Sequence, residues 1–187
     1  MGQTTIIVII CVAVFTLLLI SLYNRLVKYR NNRENAFADI DVQLKQRSDL
    51  IPSLVSTVKG YAEHEKETLQ RIVDARSQTV AASSINEKIM ADNALTSALS
   101  GMRITLEAYP DLKANQNFLQ LQQEVADLEN KLSAVRRYFN SATREYNNRV
   151  QTFPSNIIAS MFGFKKEMMY DLGADRATLE KAPEIKF

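Results

Sequence analysis

The 187-residue chain contains one cysteine, one histidine and no tryptophan. One cysteine forms no internal disulfide, and one Cys with one His supplies neither a zinc-finger set nor a two-His metal cage. Glycine numbers 5 and proline 4, against ordinary usage of about 7% and 5%. A chain this poor in turn formers, and rich in Ala, Leu, Gln, Glu, Arg and Asn, favours long uninterrupted helices. No alternating strand pattern of useful length occurs. Charge imbalance is missing too: 23 basic against 21 acidic side chains leave a net +2, which removes any whole-protein case for nucleic-acid binding. The length allows one domain with an appendage.

What is present is unevenly distributed. Between Thr4 and Tyr23 no residue is charged, and residues 6–20, with Ile6 and Phe15 among them and Leu22 just beyond, are almost wholly apolar. Twenty residues at about 1.5 Å each span the roughly 30 Å hydrocarbon core. A cleaved signal peptide would carry a basic leader, a shorter apolar core and a small-residue cleavage site. Residues 1–5 have no basic side chain and no Ala-x-Ala pattern follows, so residues 1–23 read as a retained anchor. Cys11 lies mid-span as a small hydrophobe. Arg25, Lys28, Arg30 and Arg33 follow with no acidic residue among them, a +4 collar that leaves −2 for the rest of the chain. Basic residues beside a span are held on the cytoplasmic side and meet anionic headgroups. The expectation is a single-pass protein of the cell membrane with its body in the cytoplasm. Tyr23 and Tyr29 fit the interfacial aromatic belt.

Prolines and glycines divide residues 24–153 into four helices. The first, residues 24–49, carries Leu26, Phe37, Ile40 and Leu44 at helical spacing and continues the membrane helix. Pro52 suits the first turn of a second, which runs to about residue 83 with Leu54, Val58, Tyr61, Leu69, Ile72 and Val73 inward. Gly60 interrupts it at a cost of about 1 kcal/mol against Ala. The third, residues 85–109, places Leu95, Leu99, Met102, Leu106 and Tyr109 on one stripe and stops before Pro110. The fourth, residues 115–153, repeats Phe118, Leu121, Val125, Leu128, Leu132, Val135, Phe139, Ala142 and Tyr146 at 3,4 spacing over about 55 Å, with Asn115 or Asn117 as cap. Such stripes with short connections predict an all-α fold, an antiparallel four-helix bundle continuing from the transmembrane helix. About 125 residues bury one core, roughly two-thirds of the unfolded surface. From residue 154 the pattern fails. Residues 157–164 read as a short amphipathic helix and 165–187 as a loosely held, extended tail.

Catalytic constellations are hard to assemble. His64 stands in Glu63-His64-Glu65, but a zinc-protease helix needs a second His at position 68, which is Thr. A di-iron bundle fails for the same want of histidine. Cys11 lies inside the bilayer, the glycines are too scattered for a phosphate loop, and Ser83, Ser84, Ser97 and Ser100 have no His or Lys at a useful spacing. Of the acidic residues Glu34, Asp39 and Asp41, helical spacing puts Asp39 and Asp41 on different faces. No catalytic, cofactor-binding or metal-binding residue is assigned. Arg33 and Arg47, with Glu65 and Arg149, stand on or near the apolar stripes. They either snorkel or pair, or they form a polar layer that fixes helix register or receives a partner.

Several segments, taken in order, resemble one family. They are Tyr23-Asn24-Arg25-Leu26-Val27, Asn35-Ala36-Phe37, Ile40-Asp41-Val42-Gln43-Leu44-Lys45, Arg47-Ser48-Asp49-Leu50-Ile51-Pro52, and Val58-Lys59-Gly60-Tyr61-Ala62-Glu63-His64-Glu65. Further on come Tyr109-Pro110-Asp111-Leu112-Lys113-Ala114-Asn115, Glu129-Asn130, Tyr138-Phe139-Asn140, Tyr146-Asn147, Phe153-Pro154-Ser155-Asn156, Gly163-Phe164 and Ala182-Pro183-Glu184-Ile185-Lys186-Phe187. Together they are similar to the LemA family, bacterial single-pass membrane proteins. Phe37 stands where that family usually has Trp, and the residues numbered in the 80s match no family pattern. The resemblance implies a membrane-anchored, mainly four-helix domain and brings no enzymatic activity or cofactor with it.

The matched segments cluster at helix ends and turns. Tyr109, Pro110, Asp111, Lys113, Asn115, Phe153 and Pro154, with Phe162 and Phe164, are therefore the candidate interaction surface. The expected function is a non-enzymatic scaffold at the bacterial inner membrane. Its partners are the lipid bilayer, further copies of itself as a homo-oligomer, and other membrane proteins. The competing expectation is a membrane-tethered sensor with a ligand or peptide site between helices.

Overall fold

The computed structural model describes residues 2–62, 64–106 and 108–170, with backbone alone at 103–106. Six helices follow in order: α1 (Gln3–Lys59), α2 (Lys66–Ala81), α3 (Ile85–Leu106), α4 (Pro110–Lys113), α5 (Gln116–Gln151) and α6 (Ser155–Met161). Among the described residues there is no strand, so the all-α reading holds. Packing separates two compact units, residues 2–36 with 137–170, and residues 37–136.

At 57 residues, α1 measures about 86 Å. Near its start an 18-residue window has a mean hydropathy of 3.1 and none of it is buried in the protein. From Leu26 onward a second pattern takes over. Leu26, Arg33, Phe37, Ile40, Leu44, Arg47, Ile51, Leu54 and Val58 are all buried, and after the first interval they repeat at steps of 3 and 4, one helical stripe.

Pro52 does not begin a helix, contrary to expectation; it lies inside α1. A mid-helix proline leaves the carbonyl four residues back without its amide partner. That carbonyl belongs to Ser48, and Arg76 Nε of α2 donates to it at 2.9 Å. The chain breaks instead at Gly60, where the amides of Tyr61 and Ala62 both donate to the Val58 carbonyl, at 3.0 and 2.9 Å. Because the break falls there, Tyr61 and Val73 are exposed rather than inward.

Side-chain caps fix the starts of α5 and α3. Asn115 Oδ1 accepts from the Phe118 amide at 3.0 Å, as its position before α5 suggests. At α3, Ser84 Oγ accepts from the Glu87 amide at 3.2 Å, and Glu87 Oε2 accepts from the Ser83 and Ser84 amides at 2.9 and 3.1 Å. This reciprocal capping box holds the Glu87 carboxyl at about 2, well below its ordinary 4.5, through those two backbone bonds foremost.

In the unit of residues 37–136, one core gathers Ile51, Leu54 and Val58 from α1, Leu69 and Ile72 from α2, Leu95, Leu99 and Met102 from α3, Leu112 from α4 and Phe118 from α5. In the other unit, Leu26 and Tyr146 pack with Ile158, Ala159 and Phe164, and Leu19, Leu22, Val27, Tyr29 and Val150 lie against them. The chain turns out of α6 through Gly163, whose φ is +72°. This lets the Phe164 amide reach the Ala159 carbonyl at 2.9 Å, a Schellman closure that favours glycine.

Candidate functional site

The most concentrated chemistry is an ionic quartet in the unit of residues 37–136, with Arg47 and Asp92 buried and Arg136 and Glu129 partly exposed. Arg47 Nη1 donates to Asp92 Oδ1 at 2.6 Å and to Thr96 Oγ1 at 3.0 Å, and its Nη2 pairs with Glu129. Arg136 Nη2 meets Asp92 Oδ2 at 2.5 Å, and its Nη1 stands 3.8 Å from Glu129 Oε2. Each guanidinium thus bridges both carboxylates, and the formal charges cancel. The Asp92 side chain is fully enclosed and that of Arg47 nearly so. Glu129 and Arg136 are seven residues apart on α5, two turns on one face. Asp92 lies three residues from both Ile89 and Leu95 on the buried stripe of α3.

Sequence reasoning singled out Arg47 but missed Asp92 and Arg136. A charge in a stripe position was the available signal for Asp92, three residues before Leu95; Arg136 stands beside the α5 stripe rather than on it. Glu129 also lines a groove of about 510 Å³ whose other walls include Leu54, Leu99, Met102, Phe118 and Asn130.

A second device occupies the other unit. Arg33 is buried, 3.3 Å from Glu167 Oε2, with its guanidinium 5.0 Å from the centroid of the Phe139 ring. Burial pulls the Arg33 guanidinium below its ordinary range, while Glu167 and, less strongly, Tyr146 and Glu34 pull it back. Burial pushes the neighbouring Tyr146 phenol up, with Glu167 adding to it and Arg30 and Arg33 opposing.

Residues 165–170, expected as part of a loose tail, are tied down. Asn147 donates to the Glu167 carbonyl at 2.9 Å and accepts from its amide at 2.8 Å. Asn140 treats Tyr170 in the same way, at 3.0 and 2.8 Å. Seven residues of helix advance about 10.5 Å and three of extended chain about 10 Å, so two side-chain amides on α5 match the backbone of an antiparallel segment. Residues 171–187, the rest of the tail expected to be extended, lie outside the described residues.

The other sequence-derived positions divide. Of the collar, Arg25, Lys28 and Arg30 are exposed, whereas Arg33 turns inward to Glu167. Tyr109 and Asn115 join the chain around the Gly60 turn: the Tyr109 hydroxyl donates to Glu65 at 3.1 Å, and Asn115 donates to the Tyr61 hydroxyl at 2.8 Å. Burial first, and then Glu65, raise the Tyr109 phenol. Pro110, Asp111 and Lys113 are exposed, as are Phe153, Pro154 and Phe162. Phe164 is not a surface residue; it is 8% exposed within the Leu26–Tyr146 core. Arg149 lies over the Tyr29 ring at 5.3 Å. His64 is exposed, and among the described residues no group of three or more His, Cys, Asp or Glu side chains could hold a metal.

These features belong to an anchored helical protein, and comparison with known proteins places it. The model of the LemA family matches residues 36–187. The chain belongs to the LemA family. Protein LemA of Metamycoplasma hominis is 28% identical to this LemA-family chain over 155 residues, covering 81% of the chain and 69% of that protein. Magnetosome protein MamQ 2 of Paramagnetospirillum magneticum is 21% identical over 184 residues, covering 84% and 68%. Magnetosome protein MamQ of Magnetospirillum gryphiswaldense is 23% identical over 181 residues, covering 83% and 66%.

Proposed function

We propose that this LemA-family protein is a non-enzymatic scaffold, anchored once in the bacterial inner membrane with its helical body in the cytoplasm, that self-associates or docks other membrane proteins there. The observation that carries the reading is α1. One helix holds the apolar window and also supplies Ile51, Leu54 and Val58 to a packed core, so a partner docked on the helical body is tethered to the bilayer through the same chain. Two further features support it. The strongest charges are spent on one another in the Arg47–Asp92–Arg136–Glu129 quartet, which suits architecture better than turnover. The relatives' names, one for the family and others for the magnetosome, carry no reaction.

Light scattering coupled to size exclusion on detergent-solubilised full chain tests this, with a mass above one protomer expected. A strict monomer that also recovers no partner on crosslinking in cells overturns it.

The groove of about 510 Å³ beside Glu129 favours a second reading, a tethered sensor that takes a peptide or ligand between helices. A ligand that binds only the folded state stabilises it by RT ln(1 + [L]/Kd), so a compound that raises the melting temperature of wild type but not of a Leu99→Phe variant would favour the sensor.

A further inference from the structure

The exposed side of α6 and its flanks carry Phe153 and Phe162 of the candidate interaction surface together with Ile157 and Met161. Phe153, Ile157, Met161 and Phe162 are 75, 51, 72 and 58% exposed, four large apolar side chains within ten residues. An apolar cluster of this kind marks an interaction site. Its buried side indicates what covers it. Ile158, Ala159 and Phe164 pack with Leu19 and Leu22, which belong to the uncharged stretch of α1. The Phe162 ring lies tilted by 59° against Tyr23 with centroids 4.8 Å apart, and Phe164 meets Tyr23 edge-on at 5.8 Å.

Side chains in contact with residues 19–23 share their depth. A helix advances about 6 Å in four residues, about the thickness of one headgroup zone. On the water side of this cluster stand Arg25, Lys28, Lys165 and Lys166, all exposed. Apolar side chains at the acyl boundary beneath a basic rim are the arrangement of an interfacial anchor.

We propose that the corner between α5 and α6 is a second membrane contact, with Phe153, Ile157, Met161 and Phe162 inserted in the leaflet that α1 leaves and the basic rim on anionic headgroups. The span and this foot then hold the bilayer at two points. The occupant is the lipid surface, chosen over a second copy because the cluster is continuous with the span itself.

The chain has no tryptophan, so Phe153→Trp and Phe162→Trp each create a single reporter, and Tyr138→Trp, at a site 61% exposed on α5, serves as control. Full chain is reconstituted at fewer than one copy per vesicle in phosphatidylcholine with phosphatidylglycerol. Both foot reporters are expected to emit to the blue of the control, to resist aqueous acrylamide, and to be quenched by brominated acyl chains about threefold more strongly than the control. Bromine quenching no greater than at position 138 overturns the proposal. So does a blue shift without bromine quenching, which would mean that protein covers the face instead.

Discussion

Asp92 is a carboxylate enclosed by protein and shared between two guanidiniums. Removing one partner of a buried ionic group costs about 3–5 kcal/mol, whereas exchanging the whole group for apolar residues of similar size is often neutral. Asp92→Leu is therefore expected to lower the unfolding free energy by about that amount, and adding Arg47→Met, Glu129→Leu and Arg136→Met to recover most of it. Urea denaturation of the detergent-solubilised chain measures both. Glu87 supplies a pH-dependent counterpart. Its carboxyl titrates at about 2 when folded against an ordinary 4.5. Its contribution is thus complete above the unfolded value and declines as pH falls from about 4.5 toward 2. Protection of the Ser83 and Ser84 amides, their exchange taken relative to the intrinsic rate at each pH, is expected to fall over that interval in wild type and to stay level in Glu87→Gln. Arg47 could be recognised in the sequence because it interrupts an apolar stripe. Its partners were harder to read, since a charge on a stripe looks the same whether it snorkels or pairs, and helix crossing decides which. The Ser84-x-x-Glu87 spacing is a capping-box pattern, but Ser83 and Ser84 were weighed in the sequence as candidate nucleophiles.

Among the elements, α1 shows where local rules stop. A proline in a helix interior costs about 3 kcal/mol, which is why Pro52 reads as a helix start. The compensation comes from Arg76, 28 residues beyond the Ser48 carbonyl it serves, and no local window contains it. A double-mutant cycle tests the coupling. Arg76→Leu should destabilise the wild-type chain by about 1.5–3 kcal/mol, the range for a hydrogen bond to a charged group. In a Pro52→Ala background, where the amide of residue 52 serves the Ser48 carbonyl, the same change should cost markedly less. Equal losses in both backgrounds would remove the capping role. The long periodic helix α5 was fully legible, because thirty-six residues give its stripe many repetitions. The docking of residues 165–170 was not, because asparagine on a helix carries no sign of an extended partner. Asn147→Ala leaves the Glu167 backbone groups without their side-chain partner, at about 1–3 kcal/mol. Tryptic cleavage after Lys165 and Lys166 is expected to quicken in that variant, and an unchanged rate would mean that Asn140 and Arg33 suffice to hold the segment.

At the scale of the whole molecule, the net charge of +2 conceals a charge-free span, a basic collar and internally neutralised cores. The collar supports the proposed cytoplasmic topology. A C-terminal reporter active in the cytoplasm is expected for wild type, with a smaller fraction so oriented after Arg25, Lys28 and Arg30 are all changed to Gln; a periplasmic signal from wild type would reverse the topology. Arg33 adds a dimension of time to this arrangement. It donates to the Met168 carbonyl, 135 positions further along the chain, and pairs with the adjacent Glu167. A ribosome adding 5–20 residues each second needs on the order of ten seconds to supply them. During that interval Arg33 is a bare cation beside an inserting helix, and it counts with the collar. Once the chain is finished, the same charge is withdrawn into the fold. Arg33→Gln should accordingly impair orientation in chains arrested before residue 167 and stability in completed ones, two losses from one side chain separated by the length of its own synthesis.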